Sequence, residues 1–162
     1  RAQFDRLAQV VSLYEIVEQG AQLAERDIAE RRIDLVKDYH IDGNPTLYAM
    51  PDTLAATVYE ALRNACQYSP EESTVYLRVY TGSGQGIIEV RDHGHGISPE
   101  HLNRIWEVLT QSERQKYEQQ GIGMGLPLVK QVMALHGGDV QIESAPGLGT
   151  TVWMRIPLRQ AP

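Results

Sequence analysis

The sequence is poor in cysteine, in basic residues and in long apolar runs. Its 162 residues include a single cysteine, Cys66, so no internal disulfide can form. Lys and Arg total 15 against 21 Asp and Glu, and the net charge of −6 argues against nucleic acid as a partner, because such surfaces need a basic face. No apolar run approaches the roughly 18 residues that cross a membrane. A hydrophobic fraction of 42% and a charged fraction of 22% are typical of one globular domain.

The start of the chain bears on its domain organisation. Position 1 is Arg1 rather than methionine, so we expect the chain to be part of a longer protein. Residues 1–11 are expected to be helical and to be the tail of a preceding dimerisation element or a linker. Residues 12–158 are expected to form one domain.

Apolar periodicity and turn residues predict an α+β fold. We expect further helices over residues 13–31, 51–68, 98–107 and 123–136, and strands over residues 33–39, 74–80, 87–91, 140–143 and 150–157. Residues 40–50 are expected to be a loop, and the polar stretch 108–120 a mobile loop or lid. Because hairpin connections dominate, the sheet should be mixed and mainly antiparallel, with helices on one face, which is a two-layer sandwich.

Glycine is concentrated in three short clusters, at residues 92–97, 121–126 and 147–150. Two of them adjoin predicted helix starts, where free N–H groups favour anions. Each cluster alone is also typical of an ordinary turn. The common phosphate motifs are absent, since no Walker loop occurs and residues 121–125 read G-x-G-x-G rather than G-x-G-x-x-G.

The helix predicted before residue 69 carries polar side chains on one face. Glu60, Asn64 and Tyr68 are spaced by four residues and therefore lie on the same side of the helix. An asparagine carbonyl is a hard oxygen ligand that suits Mg²⁺. Glu60 has the chemistry to orient or deprotonate a nucleophile, and the alternative for it is a solvated helix face.

Five segments, in order and spacing, resemble the conserved boxes of sensor histidine kinases, and the resemblance covers residues 12–158. They are an N box at residues 60–70, a G1 box at 91–97, an F box at 104–107 with Trp106 where phenylalanine is usual, a G2 box at 121–126 and a last glycine box at 147–150.

The resemblance implies the Bergerat ATP-binding fold, which is shared with the gyrase and MutL ATPases, with ATP and Mg²⁺ as cofactors and residues 108–120 as a flexible ATP lid. Asp92 would accept a hydrogen bond from the adenine amino group, and Thr150 would support that contact. The wall beside the adenine would be Gly94, Gly96 and Ile97.

The phosphate end of the site is also implied by the resemblance. Asn64 would hold Mg²⁺, Glu60 would be catalytic with it, and Tyr68 would flank the nucleotide. Gln67 stands where many relatives carry a basic residue towards the phosphates. Backbone N–H groups would reach the phosphates from Gly121, Gly123, Met124, Gly125 and Leu126.

The implied function is transfer of the ATP γ-phosphate to a histidine. None of the five histidines lies in the H-[ED]-x-x-[NT]-P pattern of the family's phosphoacceptor, so we expect that histidine on a dimerisation domain of the same protein outside this chain. A response-regulator receiver domain is the second expected partner, and a homodimer is expected only for the full-length protein. The expected location is cytoplasmic, in a soluble protein or in the cytoplasmic part of a membrane-bound sensor. Two alternatives remain open, a serine kinase of the anti-sigma type and a non-catalytic ATP-binding module.

Overall fold

The structure, a computed structural model, describes residues 2–100 and 125–159. Five helices have both ends in these ranges: α1 (Ala2–Leu7), α2 (Leu13–Leu23), α3 (Glu25–Glu30), α4 (Pro51–Tyr68) and α5 (Gly125–Leu135). Seven strands accompany them: β1 (Gln9–Ser12), β2 (Asp34–His40), β3 (Thr46–Ala49), β4 (Thr74–Gly82), β5 (Gln85–Asp92), β6 (Asp139–Ala145) and β7 (Gly149–Pro157).

Five strands form one sheet in the order β2-β4-β5-β7-β6. Only β2 and β4 run parallel, and the three other neighbouring pairs are antiparallel. Alternate residues of β4, namely Val75, Leu77 and Val79, are fully buried on the face that packs against α2, α4 and α5. The predicted two-layer α+β sandwich with a mixed, mainly antiparallel sheet is therefore confirmed.

The opposite face of the sheet is polar and carries one buried carboxylate. Glu89, at the centre of β5, is 5% exposed. It accepts hydrogen bonds from Trp153 Nε1 at 2.9 Å and from the Arg78 guanidinium at 3.3 Å. Side chains of the two neighbouring strands therefore supply the hydrogen bonds to this buried carboxylate. Among residues 2–100 and 125–159, no helix has the length and hydropathy to cross a bilayer.

The segment predicted as one helix over residues 13–31 is helical in both halves but is divided at Ala24, so the prediction of a continuous helix was wrong. The Ser12 hydroxyl caps α2 by accepting a hydrogen bond from Glu15 N–H. The helix ends at Leu23, and α3 follows as a separate helix with no buried residue. The break falls at the fully buried Ala24, and Ile28 of α3 packs against the core, so each half of the segment has its own apolar side.

The N-terminal segment and the loop predicted before α4 also differ from expectation. Residues 2–7 are helical, but residues 9–12 form β1, which pairs antiparallel with β3. Residues 46–49 are therefore strand rather than loop, and Leu47 and Ala49 are fully buried. Because the two partners lie more than 30 residues apart, local periodicity carries no sign of the pairing. The proposed division of the chain at residue 12 stays a prediction.

The helix α4 has the predicted bounds, 51–68. Pro51 occupies the first turn, where its missing N–H costs no hydrogen bond. At the other end, the Ser69 hydroxyl donates to the Ala65 carbonyl at 2.6 Å, and Pro70 prevents continuation. The helix therefore presents a fixed polar face over its last three turns.

The contact between α2 and α4 depends on the absence of a side chain at Gly20. A Cβ atom there would lie 2.5 Å from Val58 Cβ, closer than real Cβ contacts allow. We expect Gly20→Ala to lower the free energy of unfolding by about 1–3 kcal/mol, the usual cost of overpacking, despite the better helix propensity of alanine. Urea denaturation measures this change.

The matched control is Gly82→Ala, because a Cβ atom at Gly82 meets nothing within 4 Å. We expect that variant to unfold within about 0.5 kcal/mol of the parent, as exposed substitutions usually do. Equal stability of the two variants would contradict the proposed α2–α4 contact.

Candidate functional site

Three polar side chains lie at one end of the sheet, on its helix-covered face. The alternation that buries Ile88 and Val90 in β5 brings Asp92 to the same face. In the same way, Thr150 continues the buried row of β7 beyond Val152. Ser144 of β6 is paired directly with Thr150. The sheet thus forms a polar edge inside an otherwise apolar layer.

Asp92 is held by backbone donors. Its side chain is buried at 3% exposure, and Oδ1 accepts from Gly94 N–H at 2.8 Å and from Thr150 N–H at 3.2 Å. Burial raises the pKa of the carboxyl, and these two bonds oppose the rise. Within the described residues both of these bonds fall on Oδ1.

The loop after Asp92 packs between the end of α4 and the β6–β7 turn. His95 N–H donates to the Tyr68 carbonyl at 3.4 Å, and Gly147 N–H donates to the His95 carbonyl at 2.7 Å. Gly96 has φ +75°, and a Cβ there would overlap the Ala145 carbonyl. A Cβ at Gly94 would overlap the Tyr68 carbonyl. The glycines at 94 and 96 are therefore required by this close approach of backbones.

The polar face of α4 borders the same region. Asn64 is buried, Glu60 and Tyr68 are half-buried, and Gln67 is exposed. A Cβ at Gly125 would overlap the Glu60 carboxylate, so this face is directed at the first turn of α5. The Glu60 end of this face is thus adjacent to Gly125 at the start of α5, and N–H groups in the first turn of a helix favour anions.

Glu60 has a fixed partner. Its Oε2 atom accepts from Arg63 Nη2 at 2.9 Å and from Arg63 Nε at 3.3 Å. These bonds hold the Glu60 carboxylate beside Gly125, at the start of α5. Glu60 is therefore not a freely solvated side chain.

The start of α5 is anchored to the Asp92 loop through apolar contact. Leu126 and Ile97 are buried together, with Ile142 of β6 packed against them. This contact joins the predicted adenine wall to the predicted phosphate-binding segment. At its other end, α5 finishes at Leu135. Gly137 follows with φ +75°, and Gly138 N–H donates a hydrogen bond to the Met133 carbonyl at 2.8 Å. The predicted end of this helix near residue 136 is confirmed.

Several predicted features fall outside the described residues. They are most of the helix over 98–107, the F box with Trp106, the lid at 108–120, and Gly121, Gly123 and Met124. Of the first of these, the structure shows helix at Pro99 and Glu100.

Two side chains of the site were missed from the sequence. Ser144 accepts from Ile97 N–H at 2.8 Å and lies 2.7 Å from Thr150 Oγ1. Its signal was the strand alternation of β6, which puts a polar residue on the apolar face after Val140 and Ile142. Arg63 had a local signal too, because opposite charges three residues apart in a helix are neighbours.

The donor set fits an adenine nucleotide with Mg²⁺. Asp92 offers a buried acceptor for an amino group, the first turn of α5 offers N–H donors, and Asn64 offers a buried amide oxygen.

Comparison with protein families shows which family the chain belongs to. Residues 49–160 match the family model described as histidine kinase-, DNA gyrase B-, and HSP90-like ATPase. The chain belongs to this ATPase family. Among curated relatives, it is 36% identical over 137 residues to the circadian input-output histidine kinase CikA of Synechocystis sp., covering 82% of this chain and 18% of that protein. It is 38% identical over 109 residues to the histidine protein kinase DivJ of Caulobacter vibrioides, covering 67% of this chain and 18% of that protein.

Solved structures of the ATPase family agree with this fold. Full-length ShkA in complex with AMPPNP superposes with a TM-score of 0.76 at 25% identity, over 95% of this chain and 32% of that one. The nucleotide-free catalytic domain of histidine kinase ThkA superposes with a TM-score of 0.77 at 18% identity, over 93% of this chain and 95% of that one. The chain spans less than a fifth of the curated relatives CikA and DivJ, and nearly all of the isolated catalytic domain.

Proposed function

We propose that this chain is the ATP-binding catalytic domain of a sensor histidine kinase. It presents the γ-phosphate of ATP to a histidine on a separate dimerisation domain. The observation that carries the proposal is Asp92, a buried carboxylate whose Oδ1 is fixed by the Gly94 and Thr150 N–H groups. A carboxylate offers only acceptors and therefore suits the amino group of adenine.

The remaining residues divide between the base and the phosphates. Gly94, Gly96 and Ile97 form the wall beside the adenine, and Thr150 supports Asp92. Tyr68 flanks the nucleotide. The backbone of the 121–126 segment binds the phosphates, with Gly121, Gly123, Met124, Gly125 and Leu126 as the residues assigned to it, and Gln67 lies at the rim of the cleft.

Asn64 is the residue that would hold Mg²⁺, through its amide oxygen. When bound, the ion neutralises phosphate charge and polarises the transferred group. Asn64 is buried one turn from Glu60, whose carboxylate lies against Gly125 at the start of α5, and this position supports the assignment.

We assign to Glu60 the role of orienting the group that accepts the phosphoryl group. Its carboxylate contacts Gly125 and is fixed by Arg63 at 2.9 Å, so it is positioned rather than mobile. A group with fixed geometry contributes to catalysis by lowering the entropy cost of alignment.

The acceptor and the partners are proposed from the relatives. CikA and DivJ are both named histidine kinases, which supports a histidine acceptor over the serine of anti-sigma kinases. We assign the chain a histidine-bearing dimerisation domain of its own protein, a response-regulator receiver domain as the next acceptor, and a cytoplasmic location.

The test is phosphate transfer from radiolabelled ATP to the cognate histidine-bearing domain. We expect Mg²⁺-dependent labelling of that domain by a phosphate that is lost in acid and kept in alkali. Acid-stable labelling would indicate a serine acceptor and contradict the proposal. A domain that binds ATP without transferring phosphate would be a regulatory module instead.

A further inference from the structure

The strand β2 forms one edge of the five-stranded sheet. Among residues 2–100 and 125–159, its only neighbour in the sheet is β4, and the two strands stay in register without a bulge from Asp34 to His40. A regular edge of this kind leaves a row of backbone N–H and C=O groups to which another strand can bind.

One hydrogen bond shows which backbone groups of β2 face outwards. Asp34 N–H donates to the carbonyl of Ser73, just before β4, at 2.9 Å, so the backbone groups of Asp34 point towards β4. Because these groups alternate along a strand, those of Leu35, Lys37 and Tyr39 point away from β4. In the part of the chain that the structure describes, these outward groups have no hydrogen-bond partner.

A groove lies between this free edge and the helices that cover it. Its volume is about 460 Å³, and its described lining comes from α2, α3 and β2, with no residue of β4. The groove therefore opens on the side of β2 that faces away from the rest of the sheet. Ala21, Ile28 and Leu35 give it an apolar lining, and the exposed Glu25 also borders it.

The side chain of Lys37 is held away from the free edge. Its Nζ atom lies 2.8 Å from Glu18 Oε2 on α2, which keeps the ammonium group at the helix layer. Edge strands are commonly protected by lysine or proline. β2 contains no proline, and its one lysine is engaged by Glu18, so the outward backbone groups stay accessible to a partner strand.

Four carboxylates border β2. Glu18 and Glu25 line the groove, whereas Asp34 and Asp38 lie on the opposite face of the strand. No ion pair within residues 2–100 and 125–159 includes Glu25 or Asp34. Opposite charges placed side by side on neighbouring strands stabilise the pairing of those strands. Basic side chains of an added strand would therefore be favoured here.

We propose that the β2 edge is a docking site for an extended segment of a partner protein in which apolar side chains alternate with basic ones. The segment adds a strand to the sheet through the outward backbone groups of β2. Its apolar side chains enter the groove, and its basic side chains lie beside Asp34 and Asp38. A second copy of this chain fits less well, because β2 paired with β2 brings the acidic side chains of both strands onto one face.

The probe is a capped seven-residue peptide of alternating lysine and valine, which matches the length of β2. Amide hydrogen exchange of the isotopically labelled chain is followed by NMR with the peptide at about ten times its Kd. We expect exchange of the Leu35, Lys37 and Tyr39 N–H groups to slow by about tenfold, since only the free chain then exchanges. Exposed amides of β6, at the opposite edge of the sheet, should exchange at unchanged rates.

Altered peptides separate strand addition from general attraction to an acidic chain. A peptide with the lysines and valines in two blocks keeps the charge but loses the alternation, and we expect it to bind about tenfold more weakly. Methylation of alternate peptide amides removes the hydrogen-bond donors along one edge of the peptide. A bound strand uses one edge, so one of the two methylated isomers should bind and the other should not. Equal binding of all these peptides would contradict the proposal.

Asp34→Lys reverses one charge beside the added strand. We expect it to weaken the lysine peptide by about threefold and to strengthen a glutamate–valine peptide by a similar factor. The matched control is Glu143→Lys, the same change at an exposed position of β6, which should alter neither affinity. Equal effects of the two variants would show that net charge governs binding and would overturn the assignment to β2.

Ala29→Trp tests the groove. Ala29 is exposed and lines the groove, so a large side chain there should fill it without disturbing the core. We expect this variant to lose the peptide, whereas Ala134→Trp, at an exposed position of α5, should bind it as the parent does. Unchanged binding by Ala29→Trp, or no protection of the β2 edge in the parent chain, would contradict the proposal. Because nucleotide is absent from this experiment, either result leaves the proposed ATP site unaffected.

Discussion

Replacement of Asp92 by asparagine is expected to weaken ATP binding by about 10- to 100-fold, which corresponds to the roughly 1.5–3 kcal/mol of a hydrogen bond to a charged group. The amide oxygen of asparagine can still accept from Gly94 and Thr150 N–H, so the fold should survive. Its NH₂ group, however, would then point at the adenine amino group, and two donors would oppose each other. Calorimetric titration with ATP measures the loss.

The matched control for this change is Asp42→Asn. Asp42 lies exposed in the turn before β3, so the same loss of charge occurs far from the cleft. We expect its affinity for ATP to stay within twofold of the parent. Similar losses in both variants would show that net charge, rather than a base contact, governs binding.

Asn64→Ala is expected to abolish the Mg²⁺ dependence of ATP binding and to reduce phosphate transfer by about 100-fold, because a bound metal contributes several kcal/mol to such reactions. Asn64 is buried on α4, and its truncation removes the only side-chain oxygen that this position supplies. Parallel titrations with and without Mg²⁺, together with the transfer assay, measure both effects.

Two further variants define the role of Asn64. Asn64→Asp keeps an oxygen ligand and should retain the Mg²⁺ effect. Gln22→Ala removes an amide from an exposed position of α2 and should change neither readout. An unaltered Mg²⁺ response in Asn64→Ala would remove this residue from the metal site.

The parts of the fold that could be predicted are those whose ends are marked by proline or turn residues in the neighbouring sequence. Pro51 and Pro70 bound α4, and the turn at Ser83 and Gly84 separates β4 from β5, so both features follow from neighbouring residues. The pairing of β1 with β3 could not be predicted, because its partners are distant in sequence and short. The end of α2 at Leu23 depends on burial in the folded protein, and the spacing of charged residues in the sequence does not show where that burial changes.

The candidate site likewise contains residues that could be predicted from the sequence and residues that could not. Asp92 and Asn64 were found because each stands in a recognisable motif, and Asp92 also interrupts an apolar row. Ser144 was missed because its role depends on Ile97, 47 residues away, and on a turn that brings Thr150 beside it. Arg63 has no motif of its own, although its spacing from Glu60 is a local signal.

The central claim, that the cleft beside Asp92 binds adenine nucleotides, is tested most directly by calorimetric titration of the folded chain with ATP, with and without Mg²⁺. We predict saturable binding with one site per chain, strengthened by Mg²⁺ and competed by ADP. Absence of binding at millimolar ATP in a folded sample would contradict the account.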